Sequence, residues 1–311
     1  MSSEAQTGTR HQYVAIGLVA ASMLMHEILL TRVCALRLYF HFAFLVISNC
    51  LLGLGASGAL LVRYQSEWKA EPRRHLTRFS LAYTASLVGT YFFLLRFPIP
   101  ENLDLGDTPQ LLTLTIYNLA GAVPFLFGGL VIGMLLTFHV ERASRLYAVD
   151  LIGAGIGCIA CPALLPLVGG GGVFLVSTLL ALAGTFALGR PYFSRGTLGG
   201  LAAAGLLGIA LVPTLDQRMP VPSKGLLDYA KAMDQALKLG EPFSVWTANS
   251  RIDMFRMPPG AGVGVFMRGT NTEGLPTNVP SAGIAQDATA GTSLLDYSGH
   301  PEALEHLRRS M

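Results

Sequence analysis

The stretch LYAVDLIGAGIG, from Leu146 to Gly157, places one aspartate, Asp150, in an apolar run that also carries three regularly spaced glycines. A charged side chain in the middle of a membrane helix costs roughly 2.5–3.5 kcal/mol on insertion scales, so it needs a partner or a cavity. The glycines, at positions 153, 155 and 157, leave the helix without side chains there and let a second backbone approach closely. The stretch therefore predicts a tightly packed helix inside a membrane bundle.

The whole chain has the composition of a membrane protein. Of its 311 residues, 51% are hydrophobic and 13% are charged, and the mean hydropathy is +0.49, whereas soluble domains carry about 25% charged residues. Crossing about 30 Å of hydrocarbon takes roughly 20 apolar residues. Seven runs meet or approach that length: Tyr13–Thr31, Phe40–Val62, Phe79–Phe97, Leu111–Phe138, Tyr147–Val168, Val173–Leu188 and Thr197–Val212. The last two are short, so each of them either crosses the membrane or lies in its interface.

Basic residues are divided unequally between the two sides that seven crossings would create. One side would hold ten of them, namely Arg10, Arg63, Lys69, Arg73, Arg74, Arg78, Arg142, Arg145, Arg190 and Arg195, and the other side Arg32, Arg37 and Arg96. Since basic loops stay in the cytoplasm, this asymmetry predicts a multi-pass protein of the cell membrane with a cytoplasmic N-terminus. Seven crossings would place the C-terminal region outside and six or eight would place it inside, and the sequence leaves this choice open.

Composition divides the chain into a polar segment (1–12), a transmembrane bundle (13–213) and a C-terminal region (214–311) whose charges are nearly balanced. In the last region Ser223 begins a predicted helix that Gly240 ends. Short β-rich stretches follow: Phe243–Thr247, Ile252–Met257, Val263–Met267, Gly283–Gln286 and Ser293–Tyr297. A final helix is predicted to begin near Pro301. The predicted fold class is a membrane all-α bundle of about seven transmembrane helices followed by a small β-rich soluble domain.

Motifs for nucleotides, metals or nucleic acid find little support in the sequence. Gly53, Gly55 and Gly58 fit G-x-G-x-x-G, but they lie inside an apolar run with no preceding strand. Cys158 and Cys161 form a C-x-x-C pair in the fifth run. Small buried side chains explain this pair, and a redox or metal pair is the alternative. We expect no metal site and no nucleic-acid partner, since no basic patch interleaves with aromatic residues.

Ionisable residues inside the apolar runs are the candidate functional groups. Glu27 and Arg32 lie near the end of the first run, and Asp150 lies near the start of the fifth. Buried membrane charges pair with one another or face a cavity. These three residues therefore either line a substrate or proton path or act as interfacial charges and ties between helices. Asn49 and Asn118 are predicted to form hydrogen bonds between helices.

Five segments resemble, in order, membrane-bound spermidine/spermine synthase-like proteins. They are MHEILLTR (Met25–Arg32), LYAVDLIGAGIG, SKGLLDYAKAM (Ser223–Met233), WTANSRIDMF (Trp246–Phe255) and AGIAQDATAGTSLLDYSG (Ala282–Gly299). The resemblance covers Tyr13 to Arg309 and implies a membrane bundle followed by the N-terminal β-domain of polyamine aminopropyltransferases. The chain departs from the family at Asp287–Ala288, where the family tends to have Asp-Gly.

The resemblance also implies which parts of the enzyme this sequence lacks. In the family a Rossmann-like domain follows the β-strands, holds an S-adenosylmethionine-type nucleotide and supplies an aspartate base, and no strand–GxGxG–helix segment occurs here. It therefore implies a synthase-like membrane protein that is truncated and not catalytic alone, with no catalytic or cofactor residues to assign. The expected partners are the lipid bilayer and either a separate Rossmann-like subunit or a second copy. The alternative is a transporter or scaffold for polyamine-like cations, with Glu27, Arg32 and Asp150 along its path.

Overall fold

A computed structural model describes residues 3–37, 43–97, 106–189, 193–222, 230–257 (without 233, 235, 236, 238, 239 and 241), 281–288 and 290–295. The chain divides into two compact units, Met1–Cys34 with Phe40–Val221, and Ala35–Tyr39 with Pro222–Met311. The first unit contains the helical bundle, and the second contains every strand that the structure describes.

The bundle consists of long helices joined by short connections. The helices are α1 (Ser3–Arg37), α2 (Ala43–Trp68), α3 (Pro72–Arg96), α4 (Thr108–Phe138), α5 (Ala143–Gly189), α6 (Arg195–Leu211) and the short α7 (Leu215–Arg218). Among the described residues, four ranges are helical, long and apolar enough to cross a membrane: Arg10–Arg37, Phe44–Trp68, Thr108–Phe138 and Val140–Gly189. By helix length and apolar composition, these four ranges stand in place of the seven predicted runs. Helix α5 joins two of the predicted runs, α6 has only 17 residues, and α3 is more polar than the four ranges.

Helix α5 reverses its direction at Gly169, whose φ of 68° and ψ of 179° are not helical. In its first arm (143–168), Gly153 packs on Gly17 of α1 and Gly157 packs on Ala21, so the two helices run parallel. In the second arm (170–189) the order is opposite, since Ser177 accepts a hydrogen bond from Ser22 while Gly184 lies further back, beside Ala15, Leu18 and Val19. The 47 residues of α5, ~70 Å if straight, therefore form two antiparallel arms around α1.

The other helices also alternate in direction. Helix α1 is antiparallel to α4, as shown by Gln12 bonding to His139 and by His26 lying beside Phe125. Helix α3 is antiparallel to α4, helix α2 is parallel to α4, and α6 is antiparallel to the second arm of α5. The direction of α3 against α4 follows from the contacts Tyr83–Gly128 and Thr90–Ala120. That of α2 against α4 follows from Asn49–Asn118 and Ser57–Gly129. That of α6 against the second arm follows from Leu182–Gly205 and Leu179–Gly208. Each pass thus runs opposite to the pass before it.

Hydroxyl groups join the helices at the centre of the bundle. Ser22 of α1 lies 2.8 Å from the Tyr83 hydroxyl of α3, and both side chains are fully buried. One turn closer to the start of α3, Ser80 lies 2.6 Å from the Thr185 hydroxyl of the second arm. Short side chains between helices allow close approach and satisfy each other's polar groups in the absence of water. Hydroxyl groups therefore tie α3 to α1 and to the second arm, among larger buried residues such as Leu87 and Tyr91.

The second unit contains a four-stranded antiparallel sheet in the order β1–β2–β3–β4. The strands are β1 (Phe243–Trp246), β2 (Arg251–Met257), β3 (Ser281–Gln286) and β4 (Ala290–Leu295). Their inner face buries Phe255, Met257, Ala285 and the helical Ala230. The β-rich C-terminal domain predicted from sequence is confirmed in this form. The predicted strand Val263–Met267, the helix near Pro301 and the cap Ser223 lie outside the described residues.

Candidate functional site

Glu27 of α1 is half-buried and faces helix α2. Its carboxylate accepts a hydrogen bond from the thiol of Cys50. Cys50 is itself buried, at 3% exposure. A thiol is a weak donor, so this carboxylate retains most of its capacity to accept further hydrogen bonds. Within the described part of the chain, Glu27 is therefore an acidic group inside the bundle with one weak partner.

His26, the neighbouring residue on α1, is completely buried. Neither ring nitrogen has a hydrogen-bond partner among the described residues, and the ring lies 6.0 Å from that of Phe125 in α4. A buried polar group without a partner costs about 1–3 kcal/mol. His26 is therefore a buried polar group whose hydrogen-bonding capacity the described packing does not use. The sequence does not single out His26 as a candidate, because its burial cannot be seen in the order of residues.

An asparagine pair lies between α2 and α4, where Asn49 is the residue before Cys50. The Asn49 amide donates to the Asn118 carbonyl oxygen at 3.1 Å, which confirms the predicted hydrogen bond between helices. Below the pair, Gly53 packs directly on the backbone of Ala122 and on Phe125. We call this region the α1–α2–α4 seam and define it by His26, Glu27, Asn49, Cys50, Asn118 and Phe125. It contains a carboxylate and an imidazole on α1 and an amide on each of α2 and α4.

Arg32 lies further along α1 and acts on a different helix. Its Nε is buried and has no hydrogen-bond partner among the described residues. Its positive charge acts on the thiol of Cys161 in the first arm of α5. Cys161 is buried, as predicted for a small packed side chain, whereas Cys158 is exposed. Arg32 therefore faces α5, while Glu27 faces α2.

Asp150 lies apart from the other two candidate residues. It is half-buried in the first arm, one turn before Gly153. Because Gly153 and Gly157 pack on Gly17 and Ala21 in parallel helices, Asp150 lies level with Val14 of α1. About 13 residues of α1, or ~20 Å, separate that level from Glu27. The structure thus places Asp150 near one end of the bundle and does not bring the three predicted residues into one site.

A buried ion pair lies in the sheet. Arg251 and Asp253 form a buried ion pair of 2.9 Å on β2, and Ser244 of β1 bonds to both of them. The Asp287 side chain accepts a 2.9 Å hydrogen bond from the backbone amide of Arg251, and this bond joins β2 to the β3–β4 turn. A buried pair of this kind is costly to break but is no sign of catalysis. We interpret it as the tie that holds the register of the sheet.

The chain matches no known family model, no curated protein and no solved structure. No group of three or more metal-ligating side chains occurs within the described parts of the chain. A carboxylate with an imidazole and amide side chains on neighbouring helices, in a region of low dielectric, favours a cation that can donate several hydrogen bonds.

Proposed function

We propose that the chain is an integral membrane protein that crosses the bilayer seven times with its N-terminus in the cytoplasm. The alternating directions of the passes, with α5 counted as two arms, support this number. The excess of basic residues at the ends where the passes α2, α4 and the second arm finish supports the orientation. In this topology α6 ends on the face opposite to the N-terminus.

The synthase-like resemblance remains our leading proposal for the class of protein. The observation that supports it is the four-stranded antiparallel sheet that follows an apolar bundle, in the segment order that the resemblance implies. In this proposal the sheet serves as the β-domain of an aminopropyltransferase-like assembly. A Rossmann-like partner domain would bind the S-adenosylmethionine-type nucleotide, and this chain alone would not catalyse transfer.

Calorimetric titration with decarboxylated S-adenosylmethionine tests this proposal. We expect no binding by the purified chain and binding by the complex recovered from its native membrane together with a Rossmann-like subunit. Nucleotide binding by the chain alone would contradict the claim that it is not catalytic by itself. Failure of the native complex to bind the nucleotide would overturn the synthase-like assignment.

The seam supports a second proposal, a binding step on a path for polyamine-like cations. Glu27 would serve as the counter-charge of an ammonium group, and His26 and the asparagine pair would accept its remaining hydrogen bonds. The observation that favours this function is buried His26, whose ring nitrogens have no hydrogen-bond partner in the regions that the structure describes. Asp150 would belong to the other end of the path.

Uptake of labelled spermidine into proteoliposomes tests the path. Because a buried cation without its counter-charge loses at least ~1.4 kcal/mol, Glu27→Gln is expected to lower uptake roughly tenfold or more. Glu67→Gln changes an exposed carboxylate at the end of α2 and serves as the matched control. Equal uptake by the two variants would remove Glu27 from the mechanism, and absence of uptake by the unmodified protein would overturn the proposal.

A further inference from the structure

The connection between α2 and α3 presents a dense basic surface around a fixed aromatic cluster. The exposed basic residues are Arg63, Lys69, Arg73, Arg74 and Arg78, and the aromatic residues are Tyr64, Trp68, His75 and Phe79. We call these nine residues the α2–α3 corner. The acidic residues within the same stretch are Glu67 and Glu71, so the corner has a net positive charge.

The aromatic cluster joins the end of α2 to the start of α3. Trp68 stacks on Tyr64 with ring centroids 5.6 Å apart, and it meets the edge of Phe79 at 4.9 Å. The same indole lies 6.0 Å from the ring of His75. Tryptophan and tyrosine side chains concentrate at the level of lipid headgroups, since their rings are apolar at one end and polar at the other. The cluster therefore places the basic side chains at the height of the lipid phosphates.

Pairing within the corner leaves several basic groups available. Glu71 forms a 2.8 Å ion pair with Arg74, which lowers the pKa of Glu71 and keeps that carboxylate ionised. Arg63 lies over the Tyr64 ring at 5.0 Å. Arg73 and Arg78 are exposed and form no ion pair within 4 Å among the described residues, although the charge of Glu71 also acts on Arg78. Burial, together with the charge of Arg78, lowers the pKa of His75, so this ring adds no charge at neutral pH.

The corner also lies at the end of the bundle where anionic lipid is expected. Helices α3 and α4 are antiparallel, so the start of α3 lies at the same end as the finish of α4, which Arg142 and Arg145 follow. Cytoplasmic leaflets rich in anionic lipid attract clusters of basic residues by about 1 kcal/mol per residue. Charge, aromatic anchoring and position thus agree on one kind of partner.

We propose that the α2–α3 corner is a binding site for the headgroup phosphate of an anionic phospholipid, with Arg73 and Arg78 as its principal ligands. The aromatic cluster holds the acyl end of the lipid, and Lys69 and Arg63 complete the positive rim. This inference rests on the proposed cytoplasmic orientation of this end of the bundle, but it is independent of the synthase-like and transport proposals, because it uses none of the residues of the seam.

Tryptophan fluorescence can test the site directly, because the chain has two tryptophans, Trp68 and Trp246. The variant Trp246→Phe leaves Trp68 as the sole reporter inside the corner. In nanodiscs of phosphatidylcholine, a fixed fraction of brominated phosphatidylglycerol is expected to quench Trp68 more strongly than the same fraction of brominated phosphatidylcholine. Equal quenching by the two lipids would overturn the proposal.

Variants identify the ligands. Arg73→Gln/Arg78→Gln should lower the preference for the anionic lipid by roughly fivefold for each arginine. Arg96→Gln, an exposed arginine at the other end of α3, should leave it unchanged. Glu71→Gln releases Arg74 and should raise the preference, and this variant keeps the proposal testable if the double variant does not fold. An unchanged preference in both corner variants would overturn the assignment.

The source of the phosphate is tested by competition. Millimolar inorganic phosphate is expected to leave the preference unchanged when compared with chloride of equal ionic strength. Loss of the preference in phosphate alone would show that the corner binds the free anion, and would overturn the lipid assignment. Equal loss in both salts would show diffuse attraction without a site, and it would overturn the proposal as well.

Discussion

The two arms of α5 pack on the same helix, α1, but by different means. The first arm places Gly153 and Gly157 directly on the α1 backbone, with no side chain between the helices. The second arm packs Gly184 near α1, and its Ser177 and Thr185 form hydrogen bonds to α1 and α3. A contact between two backbones requires that the glycine has no Cβ, because any side chain would collide with the facing helix. A hydrogen bond from a hydroxyl is one of several interactions that stabilise its helix pair. The two arms should therefore differ in their tolerance to substitution.

The largest effect is expected for Gly157→Leu in the first arm. A side chain there collides with the carbonyl of Ala21, which is backbone and cannot move aside. We expect the variant to lose about 3 kcal/mol or more, or to fail to fold, in thermal unfolding monitored by size-exclusion fluorescence. Gly155→Leu is the matched control, because nothing lies within 4 Å of a side chain at Gly155. Equal melting of the two variants would contradict the parallel packing of the first arm on α1.

The next effect tests the reversal that separates the arms. Asp216 of α7 accepts a hydrogen bond from the Gly171 amide at 2.9 Å, at the start of the second arm. Loss of a side-chain cap costs about 1–2 kcal/mol, so Asp216→Ala should lower the melting temperature measurably. Asp216→Asn keeps an acceptor and should lose less. A melting temperature of Asp216→Ala equal to that of the unmodified protein would show that the cap does not stabilise the reversal.

A smaller effect is expected for a hydroxyl of the second arm. Thr185→Val removes hydrogen bonds to the Ser80 hydroxyl and carbonyl, at 2.6 and 3.0 Å. Hydrogen bonds between membrane helices average about 0.6 kcal/mol, with a maximum near 1.7. Thr178→Val removes a bond to Phe174 of the same helix and serves as control. If Thr185→Val destabilised the protein as much as Gly157→Leu, the proposed contrast between the arms would be wrong.

The smallest change in stability is expected for Asp150→Asn in the first arm. Asp150 is half-buried and has no hydrogen bond or ion pair among the described residues. Substitution away from such contacts changes the free energy of unfolding by less than about 0.5 kcal/mol. Chemical denaturation in mild detergent measures this difference. A loss above ~1 kcal/mol would favour the interpretation of Asp150 as a tie between helices.

The sequence predicted those parts of the fold that depend on local pattern. Apolar runs marked the helices, and the glycines of LYAVDLIGAGIG predicted a close contact that Gly153 and Gly157 do make. The strands near 243–257 and 281–295 follow from their alternating composition and turn residues. The reversal at Gly169 was also visible as a break between two runs, although the helix is otherwise continuous.

The arrangement of the candidate site was not visible in the sequence. Glu27, Arg32 and Asp150 share a chemical character, but their separation depends on the register between α1 and α5. The partner of Glu27, Cys50, and the isolation of His26 depend on how α2 and α4 pack on α1. Such long-range contacts depend on tertiary packing. Composition and periodicity do not predict which residues of two helices contact each other.

The central claim is that the chain makes alternating passes, with α5 folded back at Gly169. Single cysteines at Glu141, Arg195 and Pro213, in a background without the four native cysteines, test it by labelling with a membrane-impermeant maleimide. We predict that the cysteines at 141 and 195 react from the cytoplasmic face and that the cysteine at 213 reacts from the opposite face. Reaction of 141 and 195 from opposite faces would make α5 a single crossing and would contradict the account.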